Sequence, residues 1–93
     1  MAAPSGAPAG DLRVSVITPE AVVFEGEADQ VVAPAYDGEL GILRGHAPLM
    51  ALLGTGTLRI DHGREQKTFT VSGGFLQVVD NQVTVLSESA TAA

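Results

Sequence analysis

Ninety-three residues suffice for one small domain and not for two. Eleven acids against five bases leave a net charge of −6, which argues against nucleic-acid binding, since that needs a cationic surface to displace counterions from phosphate. With no cysteine there is neither a disulfide nor a thiolate metal site, and no apolar run approaches the ~20 residues of a membrane-spanning helix.

Residues 1–10, MAAPSGAPAG, lack the basic start and apolar centre of a secretion signal and the arginines of a transit peptide. Their Ala/Pro/Gly/Ser composition reads as a disordered lead-in to a domain over residues 11–88. From residue 12 the pattern is alternation and short β-branched runs broken by Gly, Pro, Asp and Asn, which is the signature of strands. Val14, Val16 and Thr18 alternate against Ser15 and Ile17 until Pro19; Val22-Val23-Phe24-Glu25 stops at Gly26; Val31-Val32 precede Pro34. Residues 37–48, DGELGILRGHAP, follow as a loop. Residues 49–53 suit a buried strand or a single helical turn equally well. Residues 57–71 read as a hairpin about His62-Gly63, and residues 75–79 and 82–86 as a second one about Asp80-Asn81. The small, polar residues 89–93 read as a frayed tail.

Eight or more short strands without a trustworthy helix imply an all-β domain, a small antiparallel β-sandwich or flattened barrel. Apolar residues make up 45% of the chain but aromatics only 4%, so Val, Leu, Ile and Ala must fill the core, with Phe24, Phe69, Phe75 and Tyr36 as its expected large pieces.

Few residues suggest chemistry. Ser72, in Val71-Ser72-Gly73-Gly74, lacks the preceding glycine and following helix of a nucleophile elbow, so the two glycines read as a bulge or tight bend. Asp37 and Glu39 have the one-residue gap of calcium loops, but the next acid is Asp61, so Asp37-Gly38 reads as a turn. His46 reads as a structural histidine bonded to a nearby carbonyl or carboxylate, and His62 as a turn residue. Gly38, Gly41, Gly45 and Pro48 concentrate conformational devices in twelve residues, which implies a shaped loop made for recognition.

The ordered segments Leu12-Arg13-Val14-Ser15-Val16-Ile17-Thr18-Pro19-Glu20, Phe24-Glu25-Gly26, Asp37-Gly38-Glu39-Leu40-Gly41-Ile42-Leu43, Gly45-His46-Ala47-Pro48-Leu49, Gly56-Thr57-Leu58-Arg59-Ile60, Val71-Ser72-Gly73-Gly74-Phe75-Leu76-Gln77-Val78 and Asn81-Gln82-Val83-Thr84-Val85-Leu86 resemble one family. It is the epsilon subunit of the F-type rotary ATP synthase, called delta in mitochondria. The resemblance implies a β-sandwich of about ten strands at the foot of the central stalk, without catalytic residues, cofactor or metal. Its implied partners are the gamma subunit and the ring of c subunits, with no nucleic acid, no direct membrane insertion, and a monomer when isolated. The implied place is peripheral to the membrane, on the cytoplasmic face in a bacterium or the matrix or stromal face in an organelle. By carry-over, Glu39, Leu40, Gly41, Ile42, Leu43 and Arg44 face the c ring, Ile42 and Leu43 either entering the contact or supporting it from below. Thr18, His46 and Pro48 face gamma.

Two departures accompany the resemblance. Arg44 stands where the family usually has proline, which leaves the loop less restrained and puts a cation beside Glu39. The sequence ends at Ala93, where the family continues into a C-terminal helical hairpin, so the expectation is of no regulatory ATP binding and no insertion into the catalytic head. The competing reading is a stand-alone small-ligand or Ca-binding β-module, suggested by the glycine-rich loops and the acidic surface.

Overall fold

The alternation that begins at Leu12 becomes ten β-strands in the computed structural model, which describes residues 12–93. The lead-in expected at 1–10 lies outside the described residues. The strands are β1 (Leu12–Ile17), β2 (Val22–Ala28), β3 (Gln30–Ala35), β4 (Gly38–Leu43), β5 (Leu49–Leu52), β6 (Thr55–His62), β7 (Glu65–Ser72), β8 (Phe75–Val79), β9 (Gln82–Leu86) and β10 (Ser89–Ala92). They form two five-stranded sheets, the first ordered β2-β1-β9-β8-β5 and the second β10-β7-β6-β3-β4. Within these sheets only β1 and β9 run parallel; the other pairs are antiparallel. The architecture is the expected β-sandwich.

Period-two burial explains it. Leu12, Val14 and Val16 of β1, Leu76 and Val78 of β8, and Val83 and Val85 of β9 point inward from the first sheet. Val31, Ile42, Leu58, Ile60 and Val71 meet them from the second. Burying each such side chain contributes about 1.5–3 kcal/mol, enough for a slip of one residue in any of these strands to be strongly opposed. Phe24 and Phe69 join across the gap with ring centroids 6.0 Å apart.

The other two large aromatics do not belong to the core. Phe75 is 49% exposed because it is out of phase with Leu76 and Val78, and Tyr36 is 79% exposed because it sits in the turn after β3. Three further expectations change. Strand β2 does not stop at Gly26 but runs to Ala28, with Gly26 opposite Val14 and the Phe24 ring lying where a side chain would stand. Residues 38–43 are not loop but edge strand, paired with β3 from Gln30↔Leu43 to Ala35↔Gly38. Residues 89–92 are not frayed: β10 pairs with β7, Ala90 packs on the core, and the buried Ser87 hydroxyl ties the approach to it. That hydroxyl donates to the Ser89 carbonyl oxygen (2.7 Å), with the Ser72 carbonyl oxygen (3.2 Å) as the alternative acceptor of its one proton, and accepts from the Ser72 N–H (3.2 Å). A buried hydroxyl so fully engaged fixes local chain direction, which sequence alternation alone does not register.

Two bends position the outer face of the first sheet. The β8–β9 turn places Asp80 and Asn81 at φ 50° and 64°, the positive values a two-residue hairpin loop demands. Between β7 and β8, Gly73 and Gly74 take φ +66° and +107°, the tight bend expected there.

Candidate functional site

Strand register gathers apolar side chains that are far apart in sequence onto the outer face of the first sheet. Val22, Ile17, Leu86, Phe75 and Leu52 stand opposite one another in successive strands, one row crossing all five. Ile17 is half-buried, while the other four are 45–58% exposed. Four interstrand spacings of about 4.8 Å make the row about 19 Å long. The adjoining row is Glu25, Ser15, Thr84, Gln77 and Met50, polar except for the exposed Met50. The third is Glu27, Arg13, Gln82 and Val79, with Arg13 3.9 Å from Glu27. The apolar band is therefore long and one row wide.

Two depressions flank it and share Phe75 and Leu86 as their common ridge. One, of about 380 Å³, is walled by Ile17, Thr18, Pro19, Gly74 and Glu88; the other, of about 190 Å³, by Met50, Gln77 and Thr84. The wall at Thr18 is a closed turn, with Thr18 N–H bonded to the Ala21 carbonyl at 2.9 Å and the Thr18 hydroxyl donating to the same oxygen at 3.2 Å. Tyr36 N–H donates to the Leu52 carbonyl at 2.8 Å, tying the β3–β4 turn to the last residue of the row.

The residues singled out from sequence fall in three places. Thr18 follows Ile17 at the row's own end of the sheet. His46 and Pro48 lie at the opposite end, where Gly45 N–H donates to Asn81 Oδ1 at 2.7 Å in the β8–β9 turn. The structure does not bring Thr18 and His46 together; they bracket the outer face of the first sheet, about 17 Å apart along β9. His46 Nδ1 donates to the Ala47 carbonyl at 2.7 Å, so its tautomer is set locally.

Glu39, Leu40, Gly41, Ile42 and Leu43 lie on β4, an edge of the second sheet, and Arg44 in the turn after it. Glu39, Gly41, Leu43 and Arg44 are exposed, and Leu40 is half-buried. Ile42 is fully buried and supports the strand from below. Five residues of extended chain separate Glu39 from Arg44 by about 17 Å, so the arginine is not beside the acid.

Nothing catalytic assembles among these residues. Ser72 and His62 terminate opposite ends of the β6–β7 hairpin, with Thr55↔Ser72 at one end and His62↔Glu65 at the other. Seven strand residues, about 24 Å, separate them. Among the described residues no three His, Cys, Asp or Glu side chains converge as metal ligands.

The sequence carries only a faint signal of this row. Phe75-Leu76 and Val85-Leu86 each place a bulky apolar residue beside a core residue, where strict alternation would put a polar one. Only register shows that these exceptions line up.

The family described as "ATP synthase, Delta/Epsilon chain, beta-sandwich domain" matches residues 11–93. The ATP synthase epsilon chain of Leptospira borgpetersenii is 48% identical over 77 residues, covering 83% of this chain and 61% of the relative. That of Desulforamulus reducens is 49% identical over 81 residues, covering 87% and 61%. The chain thus spans about three-fifths of the length of these relatives. Among solved structures, a chain of the Euglena gracilis mitochondrial ATP synthase (OSCP/F1/c-ring) superposes with a TM-score of 0.83 at 21% identity, over 94% of this chain and 56% of that one. One of the Tetrahymena thermophila mitochondrial ATP synthase central stalk and c-ring gives 0.74 at 20%, over 89% and 67%; at such identities the likeness shows the fold alone.

Proposed function

Because the chain belongs to the family of ATP synthase delta/epsilon chains through its β-sandwich domain, we propose that it serves as a central-stalk rotor subunit of an F-type proton-translocating ATP synthase. In this role it does no chemistry of its own and joins the gamma subunit to the ring of c subunits, on the cytoplasmic face of the membrane in a bacterium.

The observation that carries the reading is the apolar row of the first sheet. An isolated sandwich gains nothing by keeping Val22, Phe75, Leu86 and Leu52 in register on its water-facing side. At about 25 cal/mol per Å² of apolar area, covering them is the main source of affinity this surface offers. Thr18 at one end and His46 with Pro48 at the other bound the same face, and gamma docks there. Glu39, Gly41, Leu43 and Arg44 on and after the exposed β4 edge face the c ring. An exposed pair to Glu39 is worth only ~0–1 kcal/mol, so its service is register rather than strength.

Calorimetric titration of the chain with gamma, followed by reconstitution onto c rings, tests this. Gamma binds the chain, and Glu39→Lys weakens ring attachment while leaving gamma binding intact. Absence of gamma binding, or indifference of ring attachment to Glu39→Lys, would refute the assignment.

A further inference from the structure

Resting on the reading that gamma meets the first sheet, we propose that the element received there is a basic amphipathic α-helix lying across the strands along Val22, Ile17, Leu86, Phe75 and Leu52.

Shape is the first argument. The apolar band is one row wide, since Ser15, Thr84 and Gln77 of the next row are polar, and successive rows on one face lie about 7 Å apart. A band about 19 Å long and one row wide accepts a single helix, whose diameter is about 10 Å. At 1.5 Å per residue it spans about 13 residues. The depressions lie on opposite sides of the row, beyond Gly74 and Thr18 on one and toward Gln77 and Thr84 on the other, so they receive side chains from the two flanks of the helix's apolar face.

A strand added to the open edge at β5 fits less well. Met50 and Leu52 turn their backbone groups away from β8, because Leu53 N–H is the one that reaches back to Gly74 O. The Leu52 carbonyl is already occupied by Tyr36 N–H, so an incoming strand meets a blocked ladder.

Charge supplies the helix's flank. Glu20 lies within the Thr18–Ala21 turn, and Glu88 lines the larger depression; both are exposed and neither has an ion-pair partner among the described residues. No base adjoins this rim. Arg13 pairs with Glu27 in the third row, Arg59 lies beside Asp61 on the second sheet, Arg64 and Lys67 belong to the β6–β7 hairpin, and Arg44 lies at the far end of the sandwich. An uncompensated acidic rim beside an apolar row matches a helix with Lys or Arg along the corresponding flank.

Hydrogen exchange of gamma, free and bound to this chain, is the direct test. It is paired with binding titrations of Phe75→Gln, Leu52→Gln, the double variant Glu20→Lys/Glu88→Lys, and Thr70→Ala on the second sheet as control, each checked for unchanged melting. The expected result is protection of one helical stretch of gamma of about 13 residues bearing Lys or Arg. Phe75→Gln weakens binding about thirtyfold, as for a central apolar anchor, and the double charge reversal about tenfold with a flatter salt dependence. Leu52→Gln weakens it less, and Thr70→Ala leaves it unchanged. Protection of a strand or of scattered loops, or full binding by folded Phe75→Gln and Leu52→Gln, overturns the helix while leaving the rotor reading standing. If gamma does not bind the unmodified chain at all, both fall together.

Discussion

Gly74→Ala separates two costs that usually come together. At φ +107° an L-residue is strained by about 1–2 kcal/mol. A Cβ on Gly74 would also overlap the Leu86 carbonyl oxygen and stand 2.9 Å from both Leu86 C and Ser87 Cα, which are backbone atoms and cannot swing aside. Forcing extra volume into packed structure costs a further 1–3 kcal/mol, so the total is about 2–5 kcal/mol from a stability on the order of 5–15. At 4–8 °C per kcal/mol for a domain of this size, melting falls by roughly 8–40 °C. Gly73→Ala is the matched control: φ is +66°, but the nearest atom to its Cβ is Glu88 Cδ at 4.0 Å, so only the conformational cost of about 1 kcal/mol applies. Urea and thermal unfolding of both variants give the contact cost as the difference between them. If Gly74→Ala is no worse than Gly73→Ala, the argument from close approach is wrong, and with it the claim that this bend sets Phe75 beside Leu86.

Other substitutions follow from the same packing. Ser87→Ala strands the Ser72 N–H and takes the hydroxyl donor from the Ser89 carbonyl, while the Ser72 carbonyl keeps the Glu88 N–H; it costs about 1–3 kcal/mol, with hydrogen exchange rising first in β10. Ile42→Ala costs about 2–5 kcal/mol by urea unfolding, whereas Leu43→Ala, at an exposed neighbour on the same strand, stays within about 1 kcal/mol; equal effects would place Ile42 outside the core. Asn81→Ala loses both tolerance of φ 64° and the bond from Gly45 N–H, costing about 1–2 kcal/mol, and Asn81→Gly, which restores the first but not the second, falls between it and the parent.

What could be read from sequence divides along physical lines. The β8–β9 hairpin was legible to the residue because alternation and the Asp80-Asn81 turn agree on the same boundaries. Residues 38–43 misled because two glycines in the stretch weaken strand propensity, whereas pairing to β3 and the burial of Ile42 decide the matter in the fold. Residues 89–92 misled for a related reason: small residues gain little by burial, and what orders them is a side-chain hydroxyl donated from Ser87. The apolar row was illegible because it is a property of register across five strands. Four of its members, Val22, Leu52, Phe75 and Leu86, are unremarkable singly, and an isolated exposed Leu or Val means nothing.

Charge and apolar surface converge on one end of the sandwich. Glu20, Asp37, Glu39 and Glu88 lie toward the end bearing Thr18 and the row, with no base among them. Arg13, Arg44, Arg64 and Lys67 lie toward the other end, and Arg59 near the middle of β6. The net charge of −6 is thus unevenly distributed, and a basic partner meets this end first. Each exposed ion pair is worth at most about 1 kcal/mol and is screened beyond ~8 Å at physiological salt, so charge governs approach and orientation. The apolar row governs residence once contact is made, because its stabilisation does not fade with salt. The surfaces assigned to gamma and to the c ring are also joined by a short covalent and hydrogen-bonded path. Glu39 lies three residues after Tyr36, and Tyr36 N–H holds Leu52 at the end of the row. A load taken up at the β4 edge therefore reaches the apolar row through one turn and one bond, which fits the rotor role proposed above.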